Sequence, residues 1–233
     1  YMNYFMKGIQ KEAEKDNALI ASGHSYQSNE PGITITMNGQ SNKKLSKKNA
    51  VQDDLIYLSK PLGTGYLLVS YFNNSDLLSS YDFQNLMTWL KTGNKPASEV
   101  SKKYHTNAMT DISGFGLASH LGDICKSSDL SAKIELNIEI LINNNVNILQ
   151  KYQSTGFQNN YISSSKDVDI SDTHPLKNIL FDPQTNGPLL MTIHKNNQSK
   201  FEDEFYDTIG FKPILIGSFV EQNRNLVNVV NAL

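Results

Sequence analysis

Met109-Thr110-Asp111-Ile112-Ser113-Gly114-Phe115-Gly116 places an aspartate, a hydroxyl side chain and two glycines just ahead of an apolar helical pattern. Glycine lets backbone approach a ligand closely. The start of a helix offers unpaired N–H groups to an anion. A carboxylate beside such a start can hold Mg²⁺, which takes one or two carboxylates together with phosphate oxygens and water. The plainer alternative is that Asp111 caps the helix that follows, and on this stretch alone that is the favoured reading. A dinucleotide fingerprint fits poorly. Ser119 stands where its third glycine belongs, and the preceding Lys103 to Asn107 is too polar for a central strand.

Two more stretches carry the same ambiguity. Lys60-Pro61-Leu62-Gly63-Thr64-Gly65 follows an apolar run, and its lysine and glycines could touch phosphate. It lacks the Gly-Lys-Ser/Thr ending of a phosphate-binding P-loop, so on its own a plain strand-to-helix turn is the preferred reading. Phe181-Asp182-Pro183-Gln184-Thr185-Asn186-Gly187-Pro188-Leu189-Leu190 is a turn followed by a buried strand, with Asn-Gly supplying positive φ. Polar tips of strands also line sites. His24, between Gly23 and Ser25, is placed to meet a ligand, whereas His120 reads as a hydrogen-bonded packing residue. His105, His174 and His194 are scattered, which argues against zinc. Cys125, at the end of a helical pattern, reads as a small buried hydrophobe.

Outward from these stretches, the chain alternates helix and strand patterns. Phe5, Ile9 and Ala13 fall on one helical face. Ala18 to Ala21 and the alternating Ile33 to Met37 are expected to be strands, with a Pro31-Gly32 turn between them and a polar loop over Ser41 to Lys48. Leu55 to Leu58 is a third strand. Phe83, Leu86, Met87 and Leu90 form an apolar stripe, Gly93 ends that helix, and Pro96 begins another. Helix is expected over Phe115 to Ile124, over Glu139 to Tyr152 with a polar interruption, and around Phe201, Phe205 and Ile209. Strands are expected at 132–136, 189–193 and 213–220. Residues 153–178 are expected to be a long loop. The mixture predicts an α+β protein with a helix-covered sheet.

The chain has 233 residues and a formal net charge of −2, which gives no field for nucleic acid or an anionic membrane. No apolar run approaches the roughly 20 residues of a membrane span. A single cysteine cannot form an internal disulfide, so a reducing, cytoplasmic setting is expected. The first residue is Tyr1 and the sequence opens inside a helical pattern, so further sequence is expected upstream.

Taken together and in order, these stretches resemble the selenophosphate synthetase (selenide, water dikinase) family. The likeness rests on Ser22-Gly23-His24-Ser25, on Lys60 to Gly65, on Thr110 to Leu117 with His120, and on Asp182 to Leu190. Ser154-Thr155 leading to Asn160 is a weaker match. The resemblance spans about Met6 to Val220.

It implies a two-domain fold like aminoimidazole ribonucleotide synthetase, with residues 1–57 a remnant of an N-terminal ATP-binding and dimerisation domain and 58–233 a complete C-terminal α/β sandwich domain. It implies a homodimer that uses ATP, selenide and water and releases selenophosphate, AMP and phosphate. It implies Asp111 as a Mg²⁺ ligand and Gly23, His24 and Ser25 as an ATP-contacting turn. The family's reactive Cys or selenocysteine, its lysine and its further metal-binding aspartates have no counterpart here. No catalytic residue is therefore assigned, and the chain by itself is expected to be inactive. Ser22, Ser119 and Pro188 stand where the family has glycine, so the Asp182 loop is expected to be shaped differently. The alternative implied is a non-catalytic, diverged relative that dimerises or binds nucleotide.

Overall fold

The computed structural model describes residues 2–30, 32–40 and 45–230. It divides into two compact units, Tyr1–Asn42 and Lys43–Leu233. Pro31 of the expected Pro31-Gly32 turn and residues 41–44 of the expected polar loop lie outside the described residues.

In the first unit, helix α1 (Met2–Lys15) forms as its apolar spacing predicts, with no buried residue and a Lys15–Glu12 ion pair along one side. The two expected strands are absent: 18–21 and 33–37 carry no strand pairing. Leu19 is 88% exposed and Met37 77%. A strand is stabilised by a neighbour's N–H and C=O groups and by cross-strand side chains, and neither is supplied within this unit. Alternation alone was therefore insufficient.

The second unit is built on a sheet of seven strands among the described residues. In chain order its elements are β1 (Leu55–Leu58), α2 (Thr64–Phe72), α3 (Ser80–Lys91), α4 (Lys95–Lys103), β2 (Met109–Asp111), α5 (Gly116–Ser128), β3 (Leu130–Glu135), α6 (Val146–Lys151), α7 (Phe157–Ser164), β4 (Val168–Asp169), β5 (Leu189–Ile193), α8 (Gln198–Ile209), β6 (Ile214–Glu221) and β7 (Val227–Val230). The strand order is β2-β5-β1-β6-β3-β7-β4. The pairings from β2 to β3 are antiparallel, and β7 lies parallel to both β3 and β4. The α+β expectation holds.

The period of two along β1 sorts the core into two layers. Ile56 and Leu58 pack with Leu67, Leu117, Leu121 and Ile124 beneath α2 and α5. Tyr57 faces the other way, with Met191, Ala97, Val100, Phe201 and Phe205 beneath α4 and α8. β1 is thus covered on both faces, as is β5, whose five residues are all buried.

Two helical expectations change. Over 139–152 only α6 is α-helical, because Asn143 and Asn144 sit at φ 68° and 53°, which ends any helix before it. Asn145 then caps α6 through the Ile148 N–H. The expected loop 153–178 contains α7 and β4; Phe157 and Asn160 are buried on α7 despite the polar composition around them. β7 carries no sequence expectation of its own. Cys125 is a buried free thiol, pushed up to about 12 by burial, in keeping with a packing role.

α3 begins in a reciprocal capping box. The Ser79 hydroxyl accepts from the Asp82 N–H, and the Asp82 carboxylate accepts from the Ser79 N–H. Replacing Ser79 by Ala is expected to cost about 1 kcal/mol of stability, read as a lower urea midpoint at unchanged slope.

Candidate functional site

The three stretches singled out in the sequence meet at one end of the sheet. β1 delivers Lys60 to Gly65, β2 ends on Asp111, and the Asp182 loop enters β5. Because β2 pairs with β5, Asp111 lies opposite Leu189.

The first interlock joins the Asp182 loop to the start of α2. Gln184 Oε1 accepts from the Gly63 N–H at 2.9 Å, the Thr64 N–H at 3.2 Å and the Thr64 hydroxyl at 3.2 Å. Asp182 Oδ2 accepts from the Tyr66 N–H at 3.3 Å and from Gln184 Nε2 at 2.8 Å. The Thr64 hydroxyl in turn accepts from the Thr185 N–H. The first N–H groups of α2, which would otherwise attract a phosphate, are therefore occupied by side chains of the same protein. Gly65 is required by this approach: a Cβ there would lie 2.1 Å from Pro183 O and 2.6 Å from Asp182 Oδ1.

Lys60 turns inward as well. It is 2% exposed, and its Nζ donates to Thr92 O at 2.6 Å and more weakly to Trp89 O at 3.4 Å. It thus serves the carbonyls at the C-terminal end of α3, where a positive charge is favoured. Burial lowers it to about 8. Asn186 Nδ2 donates to Leu90 O and Thr92 O of the same helix end. The strand-to-helix reading of Lys60 to Gly65 holds, and its lysine and amides serve the fold.

The second interlock clamps the turn that carries Asp111. The Gln184 N–H donates to Ser113 O at 3.0 Å, and the Ile112 N–H donates to Pro188 O at 2.9 Å. Asn160 Nδ2 reaches both Gly114 O at 2.8 Å and Phe181 O at 3.0 Å. Gly187 packs so tightly that a Cβ would lie 2.1 Å from Ile112 O. Pro188 costs this arrangement little, since its carbonyl is the atom in use. Ser119 lies within α5 and Ser22 is exposed, so neither position needs a glycine backbone.

Asp111 itself is exposed, and its carboxylate makes no hydrogen bond to a described residue. It does not cap α5, whose N-cap is Phe115 with no side-chain bond. Behind it, buried His120 presents Nε2 to the Ser113 N–H at 3.3 Å and to the Ser113 hydroxyl at 3.4 Å. Burial is the main cause that lowers the His120 pKa, aided by Lys47 and opposed by Asp111 and Asp123. His120 is therefore the packing residue expected from sequence, with its ring held against the Asp111 turn.

No group of three or more His, Cys, Asp or Glu side chains able to hold a metal occurs among the described residues. Asp111 is an oxygen donor of the kind Mg²⁺ takes, but one carboxylate does not by itself complete a site. Gly23, His24 and Ser25 are exposed, in the first unit, outside any helix or strand. Sequence reasoning gave no individual role to Asp182, Gln184 or Asn160, and it offered Lys60 as a phosphate contact rather than as a ligand of the α3 carbonyls. Their signal was chemical: amides, a carboxylate and an ammonium in stretches whose apolar neighbours are buried.

The family model described as AIR synthase related protein, C-terminal domain, matches residues 51–221. The chain belongs to the AIR synthase related protein family. The selenide, water dikinase of Shewanella sp. (strain ANA-3) is 32% identical over 215 residues, covering 91% of this chain and 60% of the relative. That of Clostridioides difficile (strain 630) is 26% identical over 230 residues, covering 97% of this chain and 66% of the relative. The chain thus spans 60% and 66% of the length of these two curated relatives. The fold is shared with thiamine-monophosphate kinase from Stenotrophomonas maltophilia K279a, at TM-score 0.57 and 16% identity, covering 79% of this chain and 52% of that one. It is also shared with hydrogenase maturation protein HypE in complex with ATP, at TM-score 0.54 and 13% identity, covering 81% and 50%. No helix among the described residues is long and apolar enough to cross a membrane.

Asp182 yields a test of the first interlock. Burial raises its carboxyl to about 7, against the Tyr66, Gln184 and Gly65 groups that favour the charged form. Its folded value lies above the ordinary value of 3.8. The folded state then holds the proton more tightly, so this group's contribution is full below about pH 4 and declines as pH rises to about 7. Asp182→Asn is expected to flatten the pH dependence of the urea midpoint between about pH 4 and 7; an unchanged slope would contradict the assignment.

Proposed function

We propose that this chain forms the C-terminal-domain side of an ATP-using phosphotransferase that makes selenophosphate from selenide, ATP and water, with AMP and phosphate as the other products. The observation that carries the reading is Asp111: an exposed carboxylate at a strand end, on a turn held from both sides by the Asp182 loop and Asn160. A turn fixed so firmly around a solvent-facing acid is preorganised for a ligand outside the fold. Selenide, water dikinases from Shewanella and Clostridioides match nearly the whole chain, which favours this substrate over those of the thiamine-monophosphate kinase and HypE neighbours, related at 16% and 13% identity.

In this reading Asp111 holds Mg²⁺ together with nucleotide phosphates and carboxylates from elsewhere in the enzyme. When bound, the metal would offset charge on the phosphate oxygens. Ser113, Gly114 and His120 keep the Asp111 turn in place, and the Gln184 backbone N–H holds Ser113 O. Gly23, His24 and Ser25 are proposed to meet ATP in a homodimer. A cytoplasmic setting suits a lone buried thiol. With one carboxylate in place and no nucleophile, the 233-residue chain is inactive alone.

The test joins the chain to the upstream remainder of the Shewanella relative and measures selenide-dependent AMP and selenophosphate. The hybrid is expected to form both. Asp111→Asn in the hybrid is expected to lower the rate roughly 10²-fold with the fold retained by circular dichroism. The isolated chain is expected to form neither product. Selenophosphate made by the isolated chain, or an Asp111→Asn hybrid as active as its parent, would overturn the reading.

A further inference from the structure

A second concave site lies beside the Lys60 turn, away from Asp111 in the sequence and built from different elements. It is a cleft of about 440 Å³, within the range of small-molecule sites. Pro61, Tyr81 and Trp89 provide flat apolar faces, and Asn85, Asn143 and Asn144 provide amides. No charged side chain lines it.

The walls are fixed on one side and open on the other. The Trp89 ring is held edge-on against Phe211, with centroids 5.0 Å apart. Asn143 is locked by two bonds: its Oδ1 accepts from Asn85 Nδ2 at 2.8 Å and its Nδ2 donates to Asp82 O at 3.2 Å. Tyr81 is 68% exposed, a ring with little protein over it. Asn143 and Asn144 hold consecutive left-handed backbones, a conformation that L-residues adopt at a cost and that recurs at ligand clamps.

The amides have capacity to spare. An Asn side chain offers two donors and a carbonyl with two lone pairs. Asn85 uses one donor toward Asn143, leaving its carbonyl and its second N–H. Asn144 makes no side-chain hydrogen bond among the described residues. A neutral cleft with flat aromatic faces and amide edges that both donate and accept complements a planar, uncharged heteroaromatic ring. Anions gain nothing here, since no cation faces the cleft.

We propose that the Tyr81–Trp89 cleft binds a neutral, planar heteroaromatic group of nucleobase size, stacked on the aromatic rings and hydrogen-bonded by Asn85 and Asn144. This site is distinct from the proposed metal-nucleotide site at Asp111. Its chemistry is that of base stacking with amide edge contacts, which is tolerant of ring identity.

Trp89 is the chain's one tryptophan, so intrinsic fluorescence reports on the cleft directly. Adenosine, added to the 233-residue chain without metal, is expected to produce a saturable change in Trp89 emission, and inorganic phosphate none. Tyr81→Ala, at an exposed position, and Asn85→Ala are each expected to weaken the adenosine titration about tenfold. Asp111→Asn is expected to leave it unchanged, which separates this site from the proposed catalytic one. Absence of a saturable change, equal binding by Tyr81→Ala and the parent, or loss of binding in Asp111→Asn would each overturn the proposal.

Discussion

Helix α2 starts immediately after the central strand β1, and its free N–H groups must be satisfied inside the protein. Gln184 and Asp182 do this from more than a hundred residues away in the sequence. A buried amide oxygen takes the Gly63 and Thr64 N–H groups, and a buried carboxylate takes that of Tyr66. A donor left unpaired there would cost roughly 1–3 kcal/mol, so these side chains hold the Asp182 loop firmly in place. The same loop then fixes Ile112 and Ser113 through its own backbone. The exposed carboxylate of Asp111 is thus held by a chain of buried polar contacts that begins at α2.

This changes what the Lys60 to Gly65 turn is for. Its composition suits phosphate binding, yet each group that phosphate would use is already engaged. Lys60 serves the end of α3 and the α2 amides serve Asp182 and Gln184. The turn is a receptor for the Asp182 loop. That division leaves Asp111 as an outward-facing acid at this end of the sheet and gives two stretches far apart in the sequence one shared interlock.

The second unit was largely legible because its helices bury one face each and its central strands are almost wholly apolar. Leu117, Leu121 and Ile124, or Phe201 and Phe205, repeat at the spacing that burial demands. Where burial did not follow periodicity, the reading failed. Ile33 to Met37 alternates without a neighbour to pair with, and the inward face of α7 mixes Phe157 with the polar Asn160 and Ser164. Asn143 and Asn144 end a helical pattern through backbone conformation, which composition hints at but does not fix. At the site, the sequence singled out Asp111 and both partner stretches. It did not reveal the clamp, because contacts such as Gln184 to Gly63 depend on three-dimensional placement. Gly23, His24 and Ser25 are exposed in the first unit, and their contact with ATP rests on the proposal alone.

Native-state hydrogen exchange at the Gly63, Thr64 and Tyr66 amides tests the central claim most directly. If Gln184 and Asp182 hold them, these amides exchange only when the whole unit unfolds, and Gln184→Ala releases Gly63 and Thr64 to rapid exchange. Rapid exchange of these amides in the unaltered protein, at the rate of an open turn, would contradict the account.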